Sequence, residues 1–211
     1  MALEMPRQSN YQVAIDKAWS QLDGRNAGDL VRLGAEQAGR LQGVWRLDVL
    51  GDSFEIDIPE RRMALAGQGG GAVEISAAWG ILVLHYLLAE VPVPAPTGLV
   101  SFEQIPEARA YSAPYRGRVI ERFCHTVGRS CETFVSAAQA LGGQRVAGGD
   151  CAMRLLVFPR VPVTIVWYAG DDEFSPGATF LYEDVVSSVL VTEDIVVASE
   201  RLVSRLCGKP W

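Results

Sequence analysis

His85 is one of two histidines in the chain, and it interrupts an otherwise apolar run, Leu84-His85-Tyr86-Leu87-Leu88. An imidazole in such a run is either a hydrogen-bonded core residue or a ligand to a metal or cofactor, and it can also carry a proton. Both interpretations stay open. In the functional one, His85 binds a metal or a cofactor, and Tyr86 contacts the same cofactor.

Three consecutive carboxylates, Asp171, Asp172 and Glu173, end an apolar segment and precede Phe174-x-Pro176-Gly177. Carboxylates hold hard divalent cations or act as general bases. Neighbouring residues of a strand point to opposite faces, so at most two of the three converge on one ion. We predict these residues as candidate metal ligands, together with His85. The alternative is that Asp171 or Asp172 caps the following turn.

Arginines and tyrosines cluster between positions 109 and 118. Arginine pairs with carboxylates and phosphates, and both residue types stack on rings. The functional interpretation is a cofactor-binding cluster in which Arg116 or Arg118 pairs with acidic groups of the ligand. The other interpretation is a solvated helix start with aromatic anchors. The cluster consists of Arg109, Tyr111, Tyr115, Arg116 and Arg118.

Two other patterns resemble known sites only weakly. Gly67-x-Gly69-x-x-Ala72 matches a dinucleotide-binding loop, but a proline-rich loop over 91–98 follows where a second parallel strand should come, which favours a flexible turn. Cys124-His125-x5-Cys131 matches neither zinc nor iron–sulfur spacing, so we expect buried or incidental thiols. The four cysteines are Cys124, Cys131, Cys151 and Cys207.

The elements that must position these residues do not alternate regularly between strand and helix, which predicts an α+β fold. We expect a mixed, largely antiparallel sheet packed with several helices, one of them long and buried, in a single globular domain over 1–211. The predicted elements are a helix pair over 10–42, a hairpin over 44–59, a buried helix over 72–89, helices over 113–142, strands over 153–169 and a C-terminal helix over 192–207.

Composition narrows the class of protein. The 211 residues are 49% hydrophobic and 21% charged, which is typical of a globular chain. With 25 acidic and 19 basic side chains we expect no nucleic-acid partner. The apolar run over 72–89 carries Glu74, Ser76 and His85, so it favours a buried helix over a membrane span. The N-terminal segment has no secretory pattern, and we predict a cytoplasmic protein without a membrane partner.

Several segments together resemble a prokaryotic family, domain of unknown function 3786, over residues 10–206. The resemblance implies proximity to the cofactor chemistry of anaerobes, such as corrinoid, haem-like or iron–sulfur systems, and hence an iron–sulfur or corrinoid protein partner. This chain itself has no four-cysteine cluster motif. The segments are Leu84–Leu88, Ser101-Phe102, Tyr111, Ala140–Gly143, Phe158–Val163 and Gly170–Phe174.

These observations lead to one expected function and two alternatives. We expect an accessory binding protein for a metal-containing or tetrapyrrole-like cofactor in anaerobic metabolism, with His85 as ligand and the arginines pairing with carboxylates. The first alternative is an enzyme that uses a divalent metal held by Asp171, Asp172 or Glu173. The second is a protein–protein adaptor that presents the loop Val-Pro-Val-Pro-Ala-Pro over 91–96. Whether the chain is an enzyme stays open.

Overall fold

The computed structural model describes residues 8–39, 42–67 and 75–211. Gly69 and Ala72 of the dinucleotide-like pattern lie outside the described residues, as does the predicted start of the buried helix at 72. The chain divides into two compact units. The first unit contains Met1–Leu47, Ser53–Pro92 and Trp211, and the second contains Asp48–Asp52 and Val93–Pro210. The single domain over 1–211 stays a prediction.

Among its described residues, the first unit combines three helices with a four-stranded sheet of order β1-β2-β3-β4. Burial alternates along Val44–Val49, which confirms the predicted hairpin with one solvated face. Trp211 packs edge-on against Phe54 and Trp79, at centroid distances of 4.8 and 4.9 Å. The elements are α1 Gln8–Leu22, α2 Ala27–Arg32, β1 Glu36–Gln37, β2 Val44–Val49, β3 Asp52–Asp57, β4 Arg62–Leu65 and α3 Ala77–Leu87.

The second helix of the predicted pair is shorter than expected. It ends at Arg32, because Gly34 adopts a φ of 88°. The amide of Ala35 donates to the Leu30 carbonyl over 3.0 Å, and that of Gly34 donates to the Val31 carbonyl over 2.9 Å. This pair of bonds is a Schellman motif, which closes a helix at a glycine. The prediction of helix through residue 42 was therefore wrong.

The helix α3 forms the buried centre of the first unit. Seven of its side chains are buried, from Trp79 to Leu87, which confirms a buried helix with bounds of Ala77–Leu87. The helix α1 packs against it, and Ala18, Trp19 and Leu22 are its buried side chains. Within the described residues, no helix has both the length and the apolar composition needed to cross a bilayer.

The second unit is built on a five-stranded antiparallel sheet of order β5-β9-β8-β7-β6. Its central strand β8 is buried from Val161 to Trp167, as its continuous apolar sequence predicts. With two antiparallel sheets and several helices, the α+β prediction is confirmed. The elements are β5 Leu99–Ser101, α4 Ser112–Tyr115, α5 Arg122–His125, α6 Cys131–Ala140, β6 Gln144–Val146, β7 Cys151–Phe158, β8 Val161–Tyr168, β9 Gly177–Glu183 and α7 Thr192–Leu206.

A π-helical turn over Arg116–Glu121 joins α4 to α5. Such turns contain one more residue than an α-helical turn, and they are frequent at functional sites. Short 3-10 helices over Ala108–Tyr111 and Val127–Arg129 flank this segment. The helical region predicted over 113–142 is therefore several short pieces followed by α6.

Candidate functional site

The second unit contains a cleft of about 670 Å³. Three segments form its walls: the end of β5 with the 3-10 helix after it, the α4–α5 region, and the start of β9 with the residues before it. The antiparallel pairing of β5 with β9 brings the first and third segments together, with Ser101 opposite Leu181. The lining residues are Ser101–Glu103, Tyr115, Arg116, Ile120, Glu121, Cys124, His125, Arg129 and Ser175–Phe180.

Aromatic rings form the buried side of the cleft. The rings of Phe102 and Tyr115 stack in parallel, with centroids 3.8 Å apart and planes 2° apart. Phe180 lies in the same wall and is held from behind by Phe123, whose ring meets it edge-on at 5.6 Å. All four side chains are almost fully buried in the unit. The rings therefore support the cleft from within and leave little of their own faces open, and an apolar, preformed lining of this kind is typical of small-molecule sites.

A hydrogen-bonded chain of three hydroxyls holds Tyr115 from behind. Ser199 Oγ donates to the Ile195 carbonyl over 2.7 Å, so its only proton is used. Tyr182 Oη, 2.6 Å from Ser199 Oγ, must therefore donate to it. By the same reasoning, Tyr115 Oη donates to Tyr182 Oη over 2.6 Å. The bond from Ser199 to the Ile195 carbonyl thus sets the direction of the other two bonds.

Burial keeps both phenols protonated. It raises the pKa of Tyr182 to about 12, and it raises that of Tyr115 well above the usual value, where the adjacent Tyr182 adds to the effect. Neither phenol is thus a base near neutral pH. Their part in the cleft is to fix the ring of Tyr115 against Phe102.

The direction of these hydrogen bonds predicts which of two tyrosine-to-phenylalanine variants is the less stable. We expect Tyr182→Phe to lower the free energy of unfolding by about 1–3 kcal/mol, because it leaves the buried Tyr115 hydroxyl without an acceptor. Tyr115→Phe should lower the free energy of unfolding by less, because it removes a donor and leaves no buried hydroxyl without an acceptor. Urea unfolding of the two variants checks the order, and an equal or reversed cost would contradict the assigned direction.

The rim of the cleft is polar and carries charges of both signs, from Arg116 and Arg129 and from Glu103 and Glu121. The Arg116 side chain is 77% exposed, and its Nε lies 3.5 Å from Glu121 Oε1, a contact that solvent weakens. Arg129 and His125 are exposed at the same rim. Cys124 is half-buried, and its burial, followed by the charge of Glu121, raises the pKa of its thiol. The rim therefore offers two arginines to acidic groups of a ligand, with glutamates beside them, and its cysteine is not an activated thiolate.

A family model matches residues 30–205, which is most of the chain. The chain belongs to the family Domain of unknown function (DUF3786). This confirms the resemblance drawn from the sequence segments. The DUF3786 match includes every residue that lines the cleft and every predicted site residue. No curated protein and no solved structure matches the chain.

The structure divides the predicted arginine–tyrosine cluster. Tyr115 and Arg116 line the cleft, whereas Arg109, Tyr111 and Arg118 are not among its lining residues. Arg109 is exposed on a 3-10 helix, and Arg118 Nε lies 3.4 Å from Glu200 Oε1. The cofactor roles of these three residues stay predictions.

Sequence reasoning did not assign the other lining residues to a site, among them Phe102, Arg129 and Phe180. Two of the unassigned residues had a signal in the sequence: Ile120 and Cys124 follow the predicted Arg116 at intervals of four, next to the buried stripe that contains Tyr115 and Phe123. That spacing marks one helix face. The partners of this face from β5 and β9 depend on sheet pairing, for which the sequence contains no local signal.

His85 and Tyr86 lie in α3 of the first unit. Tyr86 is fully buried, and its hydroxyl donates to the carbonyl of Leu33. His85 is half-buried one residue earlier, and its carbonyl accepts from the amide of Leu88 at the helix end. The Tyr86 hydroxyl thus ties α3 to the end of α2. The ligand roles of both residues stay predictions.

The acidic segment of the second unit contains a turn. Asp171 Oδ1 accepts from the amides of Glu173 and Phe174 over 2.9 and 2.7 Å, and these bonds hold the pKa of its carboxyl below the usual value. Asp172 and Glu173 are exposed beside a second hollow of about 540 Å³. No group of three or more metal-ligating side chains occurs in the described part of the chain. The arrangement of Asp171 favours the turn-capping interpretation.

Proposed function

We propose that the chain is a binding protein whose cleft in the second unit holds a small molecule with a flat apolar body and acidic groups. The observation that carries this proposal is the preformed cleft of about 670 Å³, whose wall is supported by the stacked pair Phe102–Tyr115 and whose rim contains Arg116 and Arg129. The volume is in the range of small-molecule sites, and an apolar wall with a few charged groups is their usual composition. The buried hydroxyl chain behind Tyr115 keeps that wall in place.

A carboxylate-bearing tetrapyrrole belongs to this chemical class. Its macrocycle would lie in the cleft beside Ile120, and its carboxylates would pair with Arg116 and Arg129, as arginine forks favour. His125 would be the imidazole available to a central metal. A metal-containing ring supplies its own redox or group-transfer chemistry when bound. The chain would bind it, orient it and exclude water in an accessory role, with an iron–sulfur or corrinoid protein as its partner.

The arginines of the rim provide the first test of this proposal. We expect one equivalent of metal-free protoporphyrin IX to bind, with an absorbance change in the visible range. The double variant Arg116→Gln/Arg129→Gln should weaken binding about tenfold, because each exposed pair contributes up to about 1 kcal/mol. Arg109→Gln is the matched control, since Arg109 is an exposed arginine that does not line the cleft. Equal loss in all variants would reject the assigned rim.

The two histidines provide a second, independent test, because the chain has no others. With iron protoporphyrin IX, His125→Ala should change the absorbance bands of the bound iron, while binding of the metal-free ring stays as in the wild type. His85→Ala should leave both unchanged. If His85→Ala alone changes the bands, the ligand lies in the first unit and the cleft proposal fails.

A metal-dependent enzyme is a second proposal, for which the hollow beside Asp172 and Glu173 is the supporting observation. It requires Mg²⁺, Mn²⁺, Zn²⁺ or Ca²⁺ to raise the unfolding temperature, since a cation that binds only the folded state stabilises it. The rise should disappear in Asp172→Asn/Glu173→Gln.

An adaptor role is a third proposal, supported by the exposed prolines of the loop over 91–98. Thr97 at the end of this loop donates to Asp184 through its amide, over 3.1 Å, and through its hydroxyl. An extended proline-rich segment is a common recognition motif. Pull-downs with the full chain and with the Pro94→Ala/Pro96→Ala variant distinguish this role from ligand binding.

A further inference from the structure

The first unit contains a separate cavity of about 410 Å³. Its inner side is formed by α1 and α3, where Trp19 and Leu84 are buried. Its mouth lies at the end of the turn between β3 and β4, where Arg61 and Arg62 are exposed. The volume is in the range of small-molecule sites. The lining residues are Ile15, Trp19, Arg61–Ala64, Ile75–Ala77, Gly80 and Leu84.

Gly80 leaves the space beside α3 open. It lies inside this helix, where glycine is less favourable than alanine. Its φ is not positive, and a Cβ added to it would meet no atom within 4 Å in the described chain, its own helix turn aside. Neither the backbone conformation nor crowding therefore requires a glycine at this position. The missing side chain gives a ligand room to approach the helix.

The mouth of the cavity is positively charged. Of the described residues that line it, Arg61 and Arg62 carry charge and none is a carboxylate. Arg61 Nη2 lies 2.8 Å from Asp23 Oδ2, in an ion pair whose side chains are both about half exposed. Arg62 Nη2 lies 3.5 Å from Asp57 Oδ2, and the arginine side chain is 71% exposed. Exposed pairs of this kind are weak, and a guanidinium has five N–H donors, so both arginines can bind a second acceptor.

The start of α3 adds to the preference for an anion. The positive end of the helix dipole lies at Ser76 and Ala77, which line the cavity. The side chain of Ser76 makes no capping bond, and its Oγ is buried without a hydrogen-bond partner in the part of the chain that the structure describes. A buried hydroxyl without an acceptor is costly. A rotation of this side chain toward the cavity would pair the hydroxyl with a bound carboxylate.

We propose that this cavity is a second binding site, which holds a small carboxylate with an apolar tail, such as a medium-chain fatty acid. The tail would lie beside Gly80 and Leu84, and the carboxylate would pair with Arg61 and Arg62 at the mouth. An apolar lining with cations at one end fits a molecule that is divided in the same way. The site does not depend on the cleft of the second unit, so either proposal can fail without the other.

Isothermal titration calorimetry of the full chain with decanoate, below its micellar concentration, tests the charge at the mouth. We expect one equivalent of decanoate to bind, and decan-1-ol to bind about tenfold more weakly, because it offers the exposed arginines no charge. Arg61→Asn/Arg62→Gln should abolish this preference. Asparagine suits position 61, where φ is 48°. Arg46→Gln is the matched control and should keep the preference, since Arg46 is exposed in the same unit and does not line the cavity.

Gly80→Leu tests the cavity itself. The added side chain fills the space beside α3, so neither decanoate nor decan-1-ol should bind, while the unfolding temperature should not fall below that of the wild type. Arg116→Gln/Arg129→Gln, in the second unit, should bind decanoate as the wild type does. The proposal is overturned if the wild type binds no decanoate, if Gly80→Leu still binds it, or if the Arg116/Arg129 variant loses it. A lower unfolding temperature in Gly80→Leu would overturn it too, because the space would then already be filled by the chain.

Discussion

Phe123→Ala is expected to lower the free energy of unfolding by about 3–5 kcal/mol, the largest effect of any substitution considered for this chain. The Phe123 side chain is fully buried and meets two rings edge-on, Phe134 at 5.1 Å and Phe180 at 5.6 Å. Its removal leaves a cavity behind Phe180, so the aromatic wall of the cleft loses its support. Urea unfolding measures the cost.

The matched control for this substitution is Phe174→Ala. Phe174 belongs to the same unit but is 69% exposed. Its replacement should change the free energy of unfolding by no more than about 0.5 kcal/mol. Binding of metal-free protoporphyrin IX provides a second readout: it should weaken in Phe123→Ala at temperatures where the variant is still folded. A cost for Phe123→Ala as small as that of Phe174→Ala would show that the ring cluster does not stabilise this unit.

Gly128→Ala should destabilise the ring cluster around Phe123 by crowding it, not by leaving a cavity. We expect it to lower the free energy of unfolding by about 3 kcal/mol, which is the upper part of the usual range for overpacking. A Cβ at this position would lie 2.5 Å from Phe123 Cε1 and 2.9 Å from the Phe123 carbonyl oxygen. The ring is held by its neighbours, so the backbone must move instead. That movement also strains the bond between the Gly128 carbonyl and Trp167 Nε1.

Gly117→Ala is the control that separates crowding from a general effect of removing glycine. Gly117 lies in the π-helical turn, and the nearest atom to an added Cβ is Glu121 Oε2 at 3.9 Å. With this space available, alanine should stabilise the helical segment by about 0.5–1 kcal/mol. Thermal and urea unfolding of both variants should therefore shift in opposite directions. Shifts of the same sign would contradict the crowding argument at Gly128.

Periodicity in the sequence predicts the elements whose side chains are sorted by burial. The hairpin over Val44–Asp57 alternates between buried and solvated faces, and β8 is apolar throughout, so both were predicted correctly. The end of α2 was not predicted correctly, because Gly34 fits the apolar stripe of a longer helix equally well. Only its positive φ, which depends on the Schellman bonds, shows that it ends the helix.

The candidate site was harder to predict than the elements. Its walls come from residues 101–103, 115–129 and 175–180, which are joined by the pairing of β5 with β9. Tyr115 and Arg116 belong to a local cluster of arginines and tyrosines that indicates a site, whereas nothing near Phe180 in the sequence distinguishes it from other apolar strand residues. Residues that become neighbours through sheet register leave no local pattern behind.

The π-helical turn over Arg116–Glu121 lets the helical segment contain one extra residue without changing the direction in which its two ends face. Each residue of an α-helix advances the chain by about 100° around the axis. In an uninterrupted α-helix, Tyr115 and Phe123 would therefore lie about 80° apart around the axis. With one extra residue absorbed in the turn the difference falls to about 20°, and both side chains are buried. Among related chains, a one-residue gap at this position would therefore keep the aromatic wall in place and mark an ordinary α-helix instead of the π-helical turn.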